Sequence, residues 1–169
     1  ELISVEKMQS TQAMRAIAEH SDKTYTLLYT KHTALKIGMF ALERMVQVME
    51  MSQAGMVYAD HYQQIDGVQK TAPVIDYQPG SLRDDFNFGS VLLFNANAFK
   101  EVIENTEEEY QYAGLYDLRL KISQKSKLVH INEYLYTEVE SDKRKSGEKQ
   151  FDYVDPKNRQ VQIEMEQAC

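Results

Sequence analysis

Apolar positions along this chain gather into short runs and helical stripes. The clearest stretch runs from Thr24 to Val46. Tyr25–Tyr29 is a compact aromatic and aliphatic run, the pattern of a buried strand. A polar turn follows at Thr30-Lys31-His32-Thr33. Met39, Leu42, Met45, Val46 and Met49 then recur at helical spacing, which predicts a helix over 39–51 packed back on the strand. In open α/β sheets ligands bind at the carboxyl ends of strands, and the turn at Thr30–Thr33 stands at such an end.

The same reading extends along the chain. Ser10 or Thr11 caps a helix whose apolar face is Ala13, Met14, Ile17 and Ala18. After a turn at Ser52–Gly55, Met56–Tyr58 reads as a short strand ending at Asp60. Residues 61–82 read as a long polar excursion, with a short strand at Val74–Tyr77. Val91–Phe94 is a further strand. Asn97 caps a helix over Ala98–Asn105 buried through Phe99, Val102 and Ile103. Leu115, Leu118 and Ile122 mark another helical face. Leu128–Ile131 and Tyr134–Thr137 read as two short strands, split by Asn132-Glu133. Residues 140–150 carry no apolar side chain and read as a mobile loop, and Asp155-Pro156 is a helix start. The organisation expected is thus 1–139 as an α/β unit and 140–169 as a charged loop with a terminal helix.

Composition narrows the class. The 169 residues suit one domain, and 43% hydrophobic with 27% charged residues is ordinary for a globular protein. A net charge of −7 argues against general nucleic-acid binding, which needs a basic face, and against an anionic membrane surface. Peripheral membrane contact through a local basic patch stays open. The single cysteine, Cys169, excludes an internal disulfide and points to a reducing, cytoplasmic setting. No apolar run reaches membrane-spanning length. Nucleotide-binding glycine loops, serine-nucleophile elbows and paired Cys/His spacings are all absent.

The order of segments resembles the middle and end of a family 2 glycosyltransferase of bacterial type, with the GT-A fold. The likeness is carried by the strand and turn at 25–33, Leu35-x-x-Gly38, and Ala41-Leu42-Glu43-Arg44-Met45-Val46. It continues through Gly55–Tyr62, Ile65-Asp66-Gly67, Phe88–Phe94 and Tyr116–Ser123, covering about residues 10 to 139. The resemblance implies a mixed sheet flanked by helices, as a partial domain lacking the family's N-terminal nucleotide-binding half. It implies transfer of a sugar from a nucleotide-diphosphate donor to a hydroxyl of a carbohydrate or lipid-linked acceptor. It also implies a divalent cation, manganese or magnesium, on the diphosphate.

Two departures bear on that activity. The family's metal turn is Asp-x-Asp, whereas this chain has Thr30-Lys31-His32. Hard cations want carboxylate oxygens, so this turn is a poor magnesium or manganese site. The family's Glu-Asp catalytic pair is replaced by Gly114-Leu115, and leucine accepts no proton. A non-catalytic GT-A-like domain that binds sugar or a protein partner is therefore the alternative.

The donor-binding candidates are Thr30, Lys31, His32 and Asp60, with His61 beside Asp60. Lys31 offers a cation where the family places a metal. Asp84 and Asp85 are the best paired carboxylates, placed ahead of a buried strand, and are the candidates for a general base. Asp117, Glu107–Glu109 and the cations Lys143, Arg144 and Lys145 are secondary candidates. Tyr58, Tyr62, Tyr110, Tyr112 and Tyr116 are candidates for stacking on sugar rings.

Overall fold

The computed structural model describes residues 4–78, 80, 86–140 and 159–169. Asp84, Asp85, Lys143, Arg144, Lys145 and the Asp155-Pro156 helix start lie outside the described residues. The elements follow in the order α1 (Thr11–His20), β1 (Tyr25–Tyr29), β2 (Ala34–Ile37), α2 (Ala41–Ser52), β3 (Ala54–Ile65), β4 (Val68–Ala72), β5 (Val91–Asn95), α3 (Ala96–Glu104), α4 (Gly114–Lys125), β6 (Lys127–Glu140) and α5 (Arg159–Ala168).

The strands form one mixed six-stranded sheet in the order β1-β5-β3-β6-β2, with β4 also paired to β3. β3 and β6 run parallel, while β5 lies antiparallel to both β1 and β3. β1, β3 and β6 therefore point the same way. β5 takes the first half of one β3 edge at Met56–Tyr58, and β4 takes the second half at His61–Ile65.

Alternation along the strands builds two cores. Met56 and Tyr58 of β3 and Leu92 and Phe94 of β5 face α1, α3 and α4, where they meet Met14, Phe99, Leu118 and Ile122. Val57 and Ala59 with Val91 and Leu93 face the other way, toward Met45 and Met49 of α2. Both faces of the central strand are thus covered, which is why residues 54–61 form an unbroken buried run.

Local signals explain several boundaries. Ser10 caps α1 by accepting from the Ala13 amide at 3.1 Å. Asn95, not Asn97, caps α3, accepting from the amides of Asn97 and Ala98. α2 begins at Ala41, so Met39 falls outside its apolar stripe and stands almost wholly in solvent. Phe40 precedes the helix in the left-handed conformation, φ 58°, and is also exposed.

Four expectations are corrected. The short strand at Met56–Tyr58 is a twelve-residue strand that carries Asp60 in its interior rather than at its end. The excursion at 61–82 contains the second half of β3 and β4, joined by a tight turn at Asp66-Gly67 where both residues have positive φ. Val74–Tyr77 is irregular, not a strand. The two short strands at 128–137 are one strand, β6. Its register against β3 jumps from Ala59↔Ile131 to Asp60↔Tyr134, so Asn132-Glu133 is a bulge rather than a break.

Gly114 and Leu115, standing where the resemblance expects two acids, open α4 against α1. The Leu115 amide donates to the Gln9 carbonyl at 3.1 Å, and a Cβ on Gly114 would lie 2.3 Å from the Thr11 nitrogen. Glu164 of α5 receives the Tyr112 amide at 2.7 Å and the Ala113 amide at 3.3 Å, placing a buried carboxylate at the positive end of α4. Gly114→Ala should therefore destabilise the fold. Helix propensity favours alanine by about 1 kcal/mol in a helix interior. Forcing a side chain into packed backbone costs about 1–3 kcal/mol, and here the neighbour is backbone that cannot rotate away. Urea unfolding should show a lower midpoint for the variant, and a raised midpoint would refute the packing account.

Candidate functional site

The carboxyl ends of β1, β3 and β6 meet at one edge of the sheet, across from the start of β5. The chain leaves β1 with the Thr30 amide bonded to the Ser90 carbonyl at 2.9 Å. Lys31 follows and its Nζ reaches Glu138 Oε2 of β6 at 2.5 Å. Glu138 is 1% exposed, whereas the Lys31 side chain is about one-third exposed, so the pair spans from core to surface. A buried carboxylate needs such partners, because burial otherwise disfavours its charge strongly.

His61 is the second neighbour of Glu138. Its Nε2 lies 3.4 Å from Oε1, and its ring stacks on Tyr136 with centroids 5.0 Å apart. Desolvation pushes the His61 pKa below its ordinary 6.5, opposed by Glu138 and reinforced by Lys31. Nδ1 of His61 is buried without a hydrogen-bond partner, as is the Ser90 hydroxyl. The Tyr136 hydroxyl accepts from the Ser90 amide at 2.9 Å, and burial raises its pKa. Gly89, φ +73°, makes this approach possible, since a Cβ there would come within 2.3 Å of the Tyr136 oxygen.

The other face of the same strands carries a separate polar cluster. Asp60 is buried and its Oδ1 accepts from the Val74 amide at 2.8 Å. The same oxygen faces His130 Nε2 at 2.9 Å, while His130 Nδ1 faces Asp76 at 2.6 Å. Tyr58 stacks on His130, and its hydroxyl donates to the Ile75 carbonyl and accepts from the Tyr77 amide. Burial pushes the Tyr58 pKa up to about 12. The cluster clamps residues 74–77 onto the sheet.

The four donor-binding candidates thus separate. Thr30 and Lys31 lie at the edge, His32 is exposed beside them, and Asp60 turns to the opposite face to hold a loop. The tyrosines separate as well. Tyr58 and Tyr62 sit on β3, with Tyr62 stacked on Tyr134, but Tyr110 and Tyr112 pack near Thr11 and Lys7 at the far end of α1. Asp117 is buried and ion-paired to Lys121 at 2.8 Å; burial raises its pKa and Lys121 opposes this. Glu108 and Glu109 pair with Lys121 and Arg15.

Among the described residues no group of three or more His, Cys, Asp or Glu side chains is arranged to hold a metal ion. The edge offers one buried carboxylate already bound to a lysine, so the residues described do not fit the divalent cation that the resemblance implies.

Glu138, Tyr136, His130 and Asp76 were not legible as site residues. The available signal was Glu138 itself, an acid two residues after Tyr136 on one face of a strand. Arg119 was also missed. It lies beside the Phe88 ring, its Nε is buried without a partner, and burial lowers its pKa to about 10.

Two outcomes follow from these geometries. Unfolded, His61 titrates near 6.5; folded, it holds its proton less well. Between those values the unfolded chain binds more protons, so the stability tied to His61 is whole above about pH 6.5 and is lost as pH falls toward the folded value. His61→Phe, which keeps a ring against Tyr136, should give a flatter urea-midpoint curve between pH 7.5 and 5 than the wild type. Parallel curves would sink this. Asp60→Asn should speed hydrogen exchange at the Val74 amide by about tenfold or more, since a charged acceptor contributes about 1.5–3 kcal/mol. Unchanged exchange there would show that Asp60 does not hold the loop.

Compared with protein-family models and with curated proteins, the chain matches neither a family nor a relative.

Proposed function

We propose that this chain is a glycosyltransferase-type domain on a GT-A-like sheet, taking a nucleotide-diphosphate sugar at the carboxyl edge of β1, β3 and β6. The observation that carries the reading is Lys31. It stands in the turn after β1, where the resemblance places the diphosphate, with its side chain partly exposed and its ammonium held by the buried Glu138. A cation held there stabilises the charge that develops on a leaving diphosphate. In the transfer, the acceptor oxygen bonds to the anomeric carbon. The bond from that carbon to the diphosphate oxygen breaks, and the electron pair leaves with the diphosphate. The acceptor proton passes to a carboxylate, for which the sequence offers Asp84 or Asp85.

A second reading, a domain that binds sugar without transferring it, is favoured by one observation. Gly114 is committed to the contact with Thr11, so the helix start where the family carries its acids serves packing instead.

Calorimetric titration with UDP-, GDP- and dTDP-sugars, with and without manganese, tests both. Binding is expected without manganese and should weaken by about tenfold or more in Lys31→Ala, the range for a lost charged hydrogen bond. Binding that requires manganese would remove Lys31 from its role. Binding without turnover on any hydroxyl acceptor would establish the second reading, and no binding to any donor would overturn both.

A further inference from the structure

The chain carries more acid than base, and part of its described cations are neutralised by ion pairs. Arg15, Lys23, Lys31, Arg44, Lys121 and Lys125 each pair with a carboxylate. Arg119 forms no ion pair with any described residue, as is true of Lys7, Lys36, Lys70, Lys100, Lys127 and Arg159, but among the described cations it alone has a head-group nitrogen that is buried and unpartnered. Its guanidinium carbon sits 5.0 Å from the centre of the Phe88 ring, and its Nε is sealed from solvent with nothing to donate to. Burial without a counter-charge depresses its pKa to about 10. Arg119 is partly buried, and a guanidinium whose Nε is sealed from water and unpaired carries a cost that an anion would relieve.

The surroundings narrow the anion. Phe88 is buried and edge-on to Tyr58, with ring centroids 4.8 Å apart, so its position is fixed by the core. An aromatic face beside a guanidinium sets the plane of the fork and leaves its N–H groups for a planar or tetrahedral oxyanion. Phe86 lies against Phe88 at 4.5 Å, with Tyr77 beyond it at 6.3 Å, and both are partly exposed. Aromatic faces of this kind stack on pyranose rings. Phe88 leads directly into Gly89 and Ser90, the β5 side of the Lys31 edge.

We propose that Arg119 recognises the anionic group of a charged sugar, a carboxylate or a phosphate, whose ring lies against Phe86 and Tyr77. The proposal rests on the sugar-transfer reading for its place in the reaction, where this sugar is the acceptor. The Lys31 edge takes the donor.

The test is an NMR titration of the intact chain with glucose, glucuronate and glucose 6-phosphate. At least one charged sugar should bind about tenfold or more tightly than glucose, the worth of a charge-assisted bidentate contact. Preference for glucuronate identifies a carboxylate, and preference for glucose 6-phosphate a phosphate. Arg119→Gln should erase the preference while leaving nucleotide-sugar binding unchanged. Arg119→Lys, which keeps the charge and loses the fork, should retain only part of it, and it serves where the glutamine variant does not fold. Equal binding of all three sugars, no binding of any, or a preference that survives in both variants overturns the proposal. A counter-ion within the chain would show itself as lower stability in the variants with sugar binding unaltered, which also overturns it. A chain that binds nucleotide sugars but shows no charge preference loses only this inference. One that prefers charged sugars but binds no donor loses only the transfer reading.

Discussion

The parallel pairing of β3 with β6 is the constraint on which the rest depends. It runs from Ala54↔Lys127 to Ile65↔Glu140, the longest pairing in the sheet. Because the two strands point the same way, their later halves arrive together at one edge and bring His61 beside Tyr136 and Glu138. An antiparallel pairing would set the later half of β6 against the first half of β3, and Glu138 would lie far from Lys31. Two irregularities in β6 set which residues meet: the bulge at Asn132-Glu133 places Tyr134 opposite Asp60, and a further one-residue shift at Leu135 places Tyr136 opposite His61.

The same strand pair separates two kinds of polar chemistry. Adjacent residues on β3 send their side chains to opposite faces, so Asp60 enters the cluster that clamps residues 74–77 while His61 joins the Lys31 edge. The clamp is closed: each oxygen and nitrogen named there has a partner within the fold. The edge is open, with a lysine at the surface and two buried polar atoms unmatched. Native interiors leave few such atoms unmatched, and their concentration at a sheet's carboxyl end is what distinguishes this edge from the clamp.

Much of the fold was legible because its signals are local. The β1 run, a cap for α1 at Ser10 or Thr11 and the apolar stripes of α3 and α4 follow from residue type and spacing within a few turns of chain. β2 was not legible: Ala34–Ile37 is short, mostly exposed and lacks alternation, and it is a strand only because β6 pairs with it. The length of β3 was hidden because Asp60, His61 and Gln63 look like loop residues until their partners across the sheet are known. For the candidate edge, the turn after β1 was readable as a turn and its partners were not. The turn at Thr30–Lys31 follows from the rule on strand ends, but the partner of Lys31 is 107 residues away in sequence. Glutamate at 138 carries no mark of that partnership beyond being an acid on a strand.

The order in which β2 finds its place has a consequence for synthesis. Ala34–Ile37 is made about a hundred residues before Tyr136–Val139, the segment it pairs with among the described strands. Until that segment is made, Leu35 and Ile37 lie on a backbone edge with every ladder group unspent. Exposed Met39 and Phe40 lie just beyond it. Non-local pairings of this kind close slowly, and a waiting strand is a template for a neighbouring chain. The interval between making residue 37 and residue 139 is thus the stage of this protein's life at which a chaperone has the most to cover.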